Sequence, residues 1–265
     1  MPMNQSEKTV AIVTGANGVI GKAIAAGIAK AGFAVVMVCR DEQRAAQALD
    51  EVRQASGSSD VRVELADLSR RESVFALAAR WPGPLEVLVN NAAIAPRRRT
   101  ETPEGIEMQF ATNVLGYLWM MRAFEPALRR SAPARVVNVA SYWAGDLDLA
   151  DLQFQRRRYD NDQAYRQSKQ ANRMLTVAFA QRWRGCGITV NSCHPGDANS
   201  ALSNALGFGG SETPERAAAT PVWLATEPLL ADTTSQYFAN CRPARCAFSA
   251  DAQGIAELDA ICAKF

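Results

Sequence analysis

A single histidine in 265 residues leaves little material for a metal site, and none is expected. The six cysteines, at 39, 186, 193, 241, 246 and 262, include no CxxC pair and follow no regular spacing. That excludes a zinc framework and a disulfide scaffold. Six scattered thiols are expected to be reduced, in a cytoplasmic protein. Cys241 and Cys246 are near enough in sequence to face each other, yet no partner set surrounds them. An excess of one charge is also missing. Lys and Arg total 29 against 27 for Asp and Glu, a net charge of +2, which argues against bulk nucleic-acid binding. The two basic clusters, Arg97–Arg99 and Arg156–Arg158, each sit beside acidic residues and read as solvated loops. No apolar run approaches the ~20 residues of a membrane span. The opening MPMNQSEK lacks the basic and apolar regions of a secretion signal. Repeats, linkers and low-complexity blocks are absent.

What remains is ordinary globular usage, 48% hydrophobic and 21% charged. Short apolar runs alternate with amphipathic ones. Strands are expected at Thr9–Thr14, Phe33–Cys39, Val61–Leu65, Leu85–Val89, Arg135–Ala140 and Ile188–Cys193. Helices are expected at Ile20–Ala31, Glu42–Ala55, Arg71–Arg80, after Pro103, and at about Gln163–Trp183. Strands apolar on both faces, alternating with helices, imply an α/β protein with a doubly wound parallel sheet. One domain over 1–265 accommodates this pattern. Polar, glycine-bearing stretches near 142–162 and 197–213 read as loops beside a site.

Chemistry concentrates at the strand ends. Thr14-Gly15-Ala16-Asn17-Gly18-Val19-Ile20-Gly21 joins the first strand to the first helix. Such a turn lets a pyrophosphate approach free N–H groups at a helix start. Gly-rich turns are common, so the strand before and helix after give this one its weight. Arg40, closing the second strand, suits a 2′-phosphate and favours NADP(H) over NAD(H). Asp41 beside it reverses that preference if the register shifts by one residue. Asp67 and Leu68 close the third strand, where a carboxylate can accept from an adenine or cap the next helix. Asn91 and Ala92 close the fourth, where small groups either receive a ribose or simply turn the chain. Tyr165 and Lys169, four apart on a helix, share a face. An ammonium about 4 Å from the phenol, at an effective dielectric near 20, favours phenolate by roughly 4 kcal/mol, about three pKa units. Tyr165 is then a workable acid–base group near neutral pH. Ser141, just past the fifth strand, can steady a developing oxyanion or serve as a plain loop serine.

Taken in order along the chain, TGANGVIG, CRD, ADLS, NNAA, FATNVLG, VNVAS, YRQSK and HPGDANS resemble the short-chain dehydrogenase/reductase family, in particular its retinol-dehydrogenase-like branch. The resemblance implies a Rossmann-type fold. It assigns Ser141, Tyr165 and Lys169 to catalysis, with Asn113 holding a water in a proton relay. Gly15, Asn17, Gly18, Ile20, Gly21, Arg40, Asp67, Leu68, Asn91, Ala92, Pro195, Gly196 and Ser200 become the cofactor-binding residues. His194 is expected to be structural. A homodimer or homotetramer is a family expectation. Val19 stands where the family turn carries its middle glycine, Ala93 replaces a glycine, and Ala140 replaces a second serine. Val19 either crowds the phosphates or yields its place to Gly18. The expected activity is hydride transfer between NADP(H) and a lipophilic or aromatic carbonyl or alcohol. Tyr142, Trp143, Leu147, Leu149, Leu202, Leu206 and Phe208 supply the apolar pocket. The rival is a non-catalytic NADP(H)-binding redox sensor, for which a tuned tyrosine is superfluous.

Overall fold

Parallel pairing starts from β1 (Val10–Thr14), which lies against β2 (Ala34–Cys39) with Val10 opposite Ala34 and Thr14 opposite Val38. The computed structural model describes residues 8–265. β3 (Val61–Leu65), β4 (Val87–Asn90), β5 (Ala134–Val139), β6 (Ile188–Cys193), β7 (Tyr237–Ala239) and β8 (Arg242–Pro243) complete one sheet in the order β3-β2-β1-β4-β5-β6-β7-β8. Every pairing is parallel except that of β8 on β7. Val13, Met37 and Val89 face one layer, while Ile12, Val36 and Leu88 face the other, all of them buried. Both faces are apolar because both are covered, which is why these strands read as unbroken hydrophobic runs.

On one side lie α1 (Val19–Lys30), α2 (Glu42–Ser56) and α8 (Pro214–Thr226). On the other lie α3 (Arg71–Ala79), α5 (Gly116–Arg130), α6 (Asn161–Arg182) and α9 (Ala252–Cys262). α5 begins as the short α4 (Met108–Phe110) and passes through a π turn at Ala111–Leu115. α7 (Ala201–Ala205) is a single turn in the loop after β6. Local chemistry sets the ends. Asp41 caps α2 by accepting from Arg44 N at 2.8 Å, and Asp160 caps α6 by accepting from Gln163 N at 2.9 Å. Gly57 closes α2 in the left-handed region.

The six expected strands and the helices between them are present, within one to two residues at most ends. After Cys193 only the single-turn α7 falls where a loop or short helix is expected, and the later elements have no counterpart in the sequence pattern. α8 carries an internal proline, Pro221, and β7 spans three residues, so neither leaves a period to read. Among the described residues no helix is long and apolar enough to cross a membrane.

Candidate active site

The strand order reverses between β1 and β4, and the crevice there is where open α/β sheets bind ligands. A cleft of about 530 Å³ opens at that point. Thr14 Oγ1 accepts from Asn91 N at 2.9 Å and Ala92 N at 3.1 Å, while Asn91 Nδ2 donates to the Thr14 carbonyl at 2.8 Å. These bonds fasten the ends of β1 and β4 together. Asn91 therefore lines the cleft but spends its amide on the protein. Gly15 leaves β1 at φ 63°, and a Cβ on it would lie 2.7 Å from Ala92 Cα. A Cβ on Gly21 would land on the Gly15 carbonyl oxygen. Both glycines are dictated by this close approach.

Gly18, not Val19, is the N-cap of α1, extended at φ −84°, ψ 167° and donating to Gly15 O at 3.0 Å. Val19 is the first helical residue, half-buried at the cleft's rim. No side chain caps this helix and no acid stands in its first turn. The N–H groups of Val19, Ile20 and Gly21 thus face the cleft without an internal partner, which is an anion seat. Asn17 and Ile20 line the same wall.

At the far end Arg40 and Arg44 are exposed, line the cleft, and pair with no carboxylate among the described residues. Lys22 lines it too but is tied to Glu51. The Asp41 carboxylate is engaged as the α2 cap, leaving the basic groups to define this end. Arg44 escaped the sequence reading. A base in a helix's first turn opposes the dipole, and that was its signal. Asp67 lines the cleft but does not cap α3. Its Oδ1 accepts from Ser69 N at 2.9 Å and Ser69 Oγ at 2.7 Å, a local turn, and α3 starts after Arg70. Leu68, Ala92, Pro195 and Ser200 also line the cleft, and Ser200 doubles as the α7 cap. Gly196 faces a second hollow alongside. Thr112 Oγ1, buried in the cleft wall, has no partner among the described residues. The anion seat, the two unpaired arginines and this orphaned hydroxyl fit a phosphorylated dinucleotide.

Tyr165 and Lys169 line the inner end of the cleft, and Ser141 borders the adjoining hollow of about 40 Å³ beside Tyr165. All three are buried. The expected electrostatics are corrected here. Lys169 Nζ lies 5.6 Å from the centre of the Tyr165 ring and donates to the Val139 carbonyl at 2.9 Å. Burial dominates both groups. It pushes the Tyr165 phenol up, only partly opposed by the Ser141 hydroxyl, and pushes Lys169 down to about 7. At neutral pH the phenol keeps its proton and is not a phenolate. Asn113, in the π turn, holds Ile94 from both directions. Its Oδ1 accepts from Ile94 N and its Nδ2 donates to Ile94 O, each at 2.9 Å. Nδ2 also reaches Ser168 Oγ at 3.2 Å, next to Lys169.

The small hollow is lined by Tyr142, Trp143, Leu202 and Phe208, with Trp143 and Phe208 edge-to-face at 5.1 Å. Leu147 and Leu149, expected there, pack instead against the core, and Leu206 closes α7. His194 borders the hollow with its ring 4.6 Å from that of Tyr142. Burial pushes it down to about 4, against the pull of Asp197 and Glu212. Its proton is therefore taken up by the unfolded chain before the folded one. Stability falls as pH drops from 6.5 toward 4, by about 3 kcal/mol in full. Being the sole histidine, its NMR titration is unambiguous. A midpoint near 4 is expected in the folded protein, and one near 6.5 contradicts the buried, neutral placement.

A family model described as short chain dehydrogenase matches residues 9–207. Human retinol dehydrogenase 13 is 34% identical over 251 residues, covering 87% of this chain and 76% of its own. A Streptomyces antibioticus protein named "Probable oxidoreductase" is 38% identical over 256 residues, covering 89% and 86%. Among solved structures, an uncharacterized protein from Mycobacterium paratuberculosis superposes at TM-score 0.79 with 29% identity, covering 98% of this chain and 93% of that one. The Pseudomonas aeruginosa RhlG/NADP active-site complex superposes at 0.68 with 28% identity, covering 87% and 93%.

Proposed function

This chain belongs to the short-chain dehydrogenase family and is a nicotinamide-nucleotide-dependent oxidoreductase, and we propose that it uses NADP(H) to reduce a lipophilic or aromatic carbonyl with Tyr165 as the acid. The observation that carries this is one cleft with two ends. Arg40 and Arg44 stand unpaired at one, and a buried, protonated Tyr165 stands beside Ser141 at the other. The nicotinamide, when bound, supplies the hydride.

The chain's own groups do the rest. The α1 amides hold phosphate, and Arg40 and Arg44 recognise the additional 2′-phosphate. Gly15, Gly18 and Gly21 keep that wall free of side chains. Ser141 donates its hydroxyl to the substrate oxygen while its own oxygen accepts from Trp143 N at 3.1 Å. Tyr165 gives the proton at Oη to the same oxygen. Lys169, poised near neutrality by burial, passes on a replacement proton that comes from solvent by way of a water held beside Asn113, whose side chain is itself fastened to Ile94. Tyr142, Trp143 and Phe208 offer flat apolar surface, and the Trp143–Phe208 contact must part to admit a ring, since the hollow is only about 40 Å³. The complex of RhlG with NADP supports the cofactor assignment by likeness.

Oxidation of NADPH, with NADH in parallel, against aromatic aldehydes, lipophilic ketones and short polar aldehydes tests the reading. Turnover is expected with NADPH and the first two classes. Absence of any carbonyl-dependent oxidation overturns it, and turnover confined to short polar aldehydes overturns the substrate class.

A further inference from the structure

Arg173 has no part in the chemistry so far, yet it shares a face of α6 with Lys169 and Tyr165, one and two turns away. It is 6% exposed. Arginine keeps its proton in proteins, and this one forms no ion pair with a carboxylate among the described residues. Its Nε has no hydrogen-bond partner among the described residues. The guanidinium instead lies 3.5 Å from the centre of the Tyr237 ring on β7 and 5.6 Å from that of Phe248. A buried charge without a counter-ion is a poor way to stabilise a fold, since apolar replacements often do as well or better. Something other than stability accounts for it.

Its Nη2 donates to the main-chain carbonyl of Ser141. One turn earlier, Lys169 donates to the carbonyl of Val139 at 2.9 Å. Two basic side chains on one helix thus pin the strand exit on either side of Ala140, where β5 ends and the site begins. Beyond the pinned carbonyl, Ser141 Oγ accepts from Trp143 N at 3.1 Å, which fixes the rotation of the hydroxyl. The aromatic pair Tyr237 and Phe248 closes over the guanidinium from the other side and keeps water from competing for it.

Resting on the proposed reaction, we infer that Arg173 is a positioning residue, a buried clamp that holds the Ser141 main chain so that its hydroxyl meets the substrate oxygen together with Tyr165. Three consequences separate this from plain packing. Catalysis suffers without the cofactor site being touched. The loss appears in kcat more than in KM. Stability does not follow activity.

The test compares Arg173→Met, which keeps length and apolar contact, with Arg173→Lys, which keeps a charged donor. Amide exchange at Trp143 reads the Ser141 geometry directly and needs no substrate. In Arg173→Met the Trp143 amide is expected to exchange about tenfold faster, with β4 and β5 amides unchanged. kcat falls roughly 10–100-fold with KM within about threefold. NADPH affinity holds within about twofold, and Tm stays within about 3 °C or rises. Arg173→Lys restores most of the Trp143 protection and most of kcat. Unchanged Trp143 exchange in Arg173→Met overturns the clamp. So does a general loss of protection with a fall in Tm, which marks a structural residue. If the parent protein reduces no carbonyl at all, the functional reading fails by itself, and Trp143 exchange still judges the clamp.

Discussion

Replacing Tyr165 with Phe lowers kcat for carbonyl reduction by about 10²–10⁴-fold while NADPH binding stays within about twofold. Phe keeps the ring that α6 buries against the cleft's inner end and removes only the hydroxyl. A loss confined to kcat follows if that hydroxyl acts in the transition state alone. The direction of its displaced pKa sharpens the expectation. Burial raises it, so the phenol is protonated through the neutral range and reduction needs no prior ionisation. Reduction by the parent protein is therefore flat in pH as far as this group is concerned. Alcohol oxidation needs the phenolate and rises as the solution becomes more alkaline. Turnover of the Phe protein within about threefold of the parent, with cofactor bound, would falsify the assignment of the proton to Tyr165.

How much of this could be read beforehand divides along a physical line. Thr14 through Gly21 was legible because a turn with a backbone that close to its neighbour admits only glycine at 15 and 21, and sequence records that constraint directly. The strands through β6 were legible because double burial writes itself as unbroken apolar runs. Energies that depend on burial were not. Helix spacing puts an ammonium beside the phenol but says nothing of its desolvation, and Lys169 is buried, bonded to Val139 and itself pushed down to about 7. Leu147 and Leu149 fell on the wrong side of a loop for the same reason, since polarity marks a loop but not which residue turns inward. Arg44, marked only by its place in a helix's first turn, and Arg173, not marked at all, were hard to read for a different one. Each matters through groups far away in sequence, the cleft wall in one case and Tyr237 in the other.

Arg40→Glu is expected to weaken NADPH binding by about 10–100-fold while leaving NADH binding unchanged or slightly tighter. Arg40 follows β2 directly, Arg44 stands in the first turn of α2, and Lys22 is drawn off to Glu51. On the proposed NADP(H) reading, two guanidinium groups carry the recognition of a 2′-phosphate, each through charge-assisted hydrogen bonds. Both are exposed, so water and salt screen them, which keeps the expected effect well below that of a buried pair. The same exposure gives the prediction a second axis. The affinity gap between NADPH and NADH narrows as ionic strength rises, because NADH has no phosphate at that end for salt to screen. Arg40→Glu combined with Arg44→Ala carries the inversion further, since Asp41 remains bound to the α2 amide in either case and does not fill the space. A loss shared equally by the two nucleotides places Arg40 in shaping the cleft, and no loss at all removes the 2′-phosphate from this end of it.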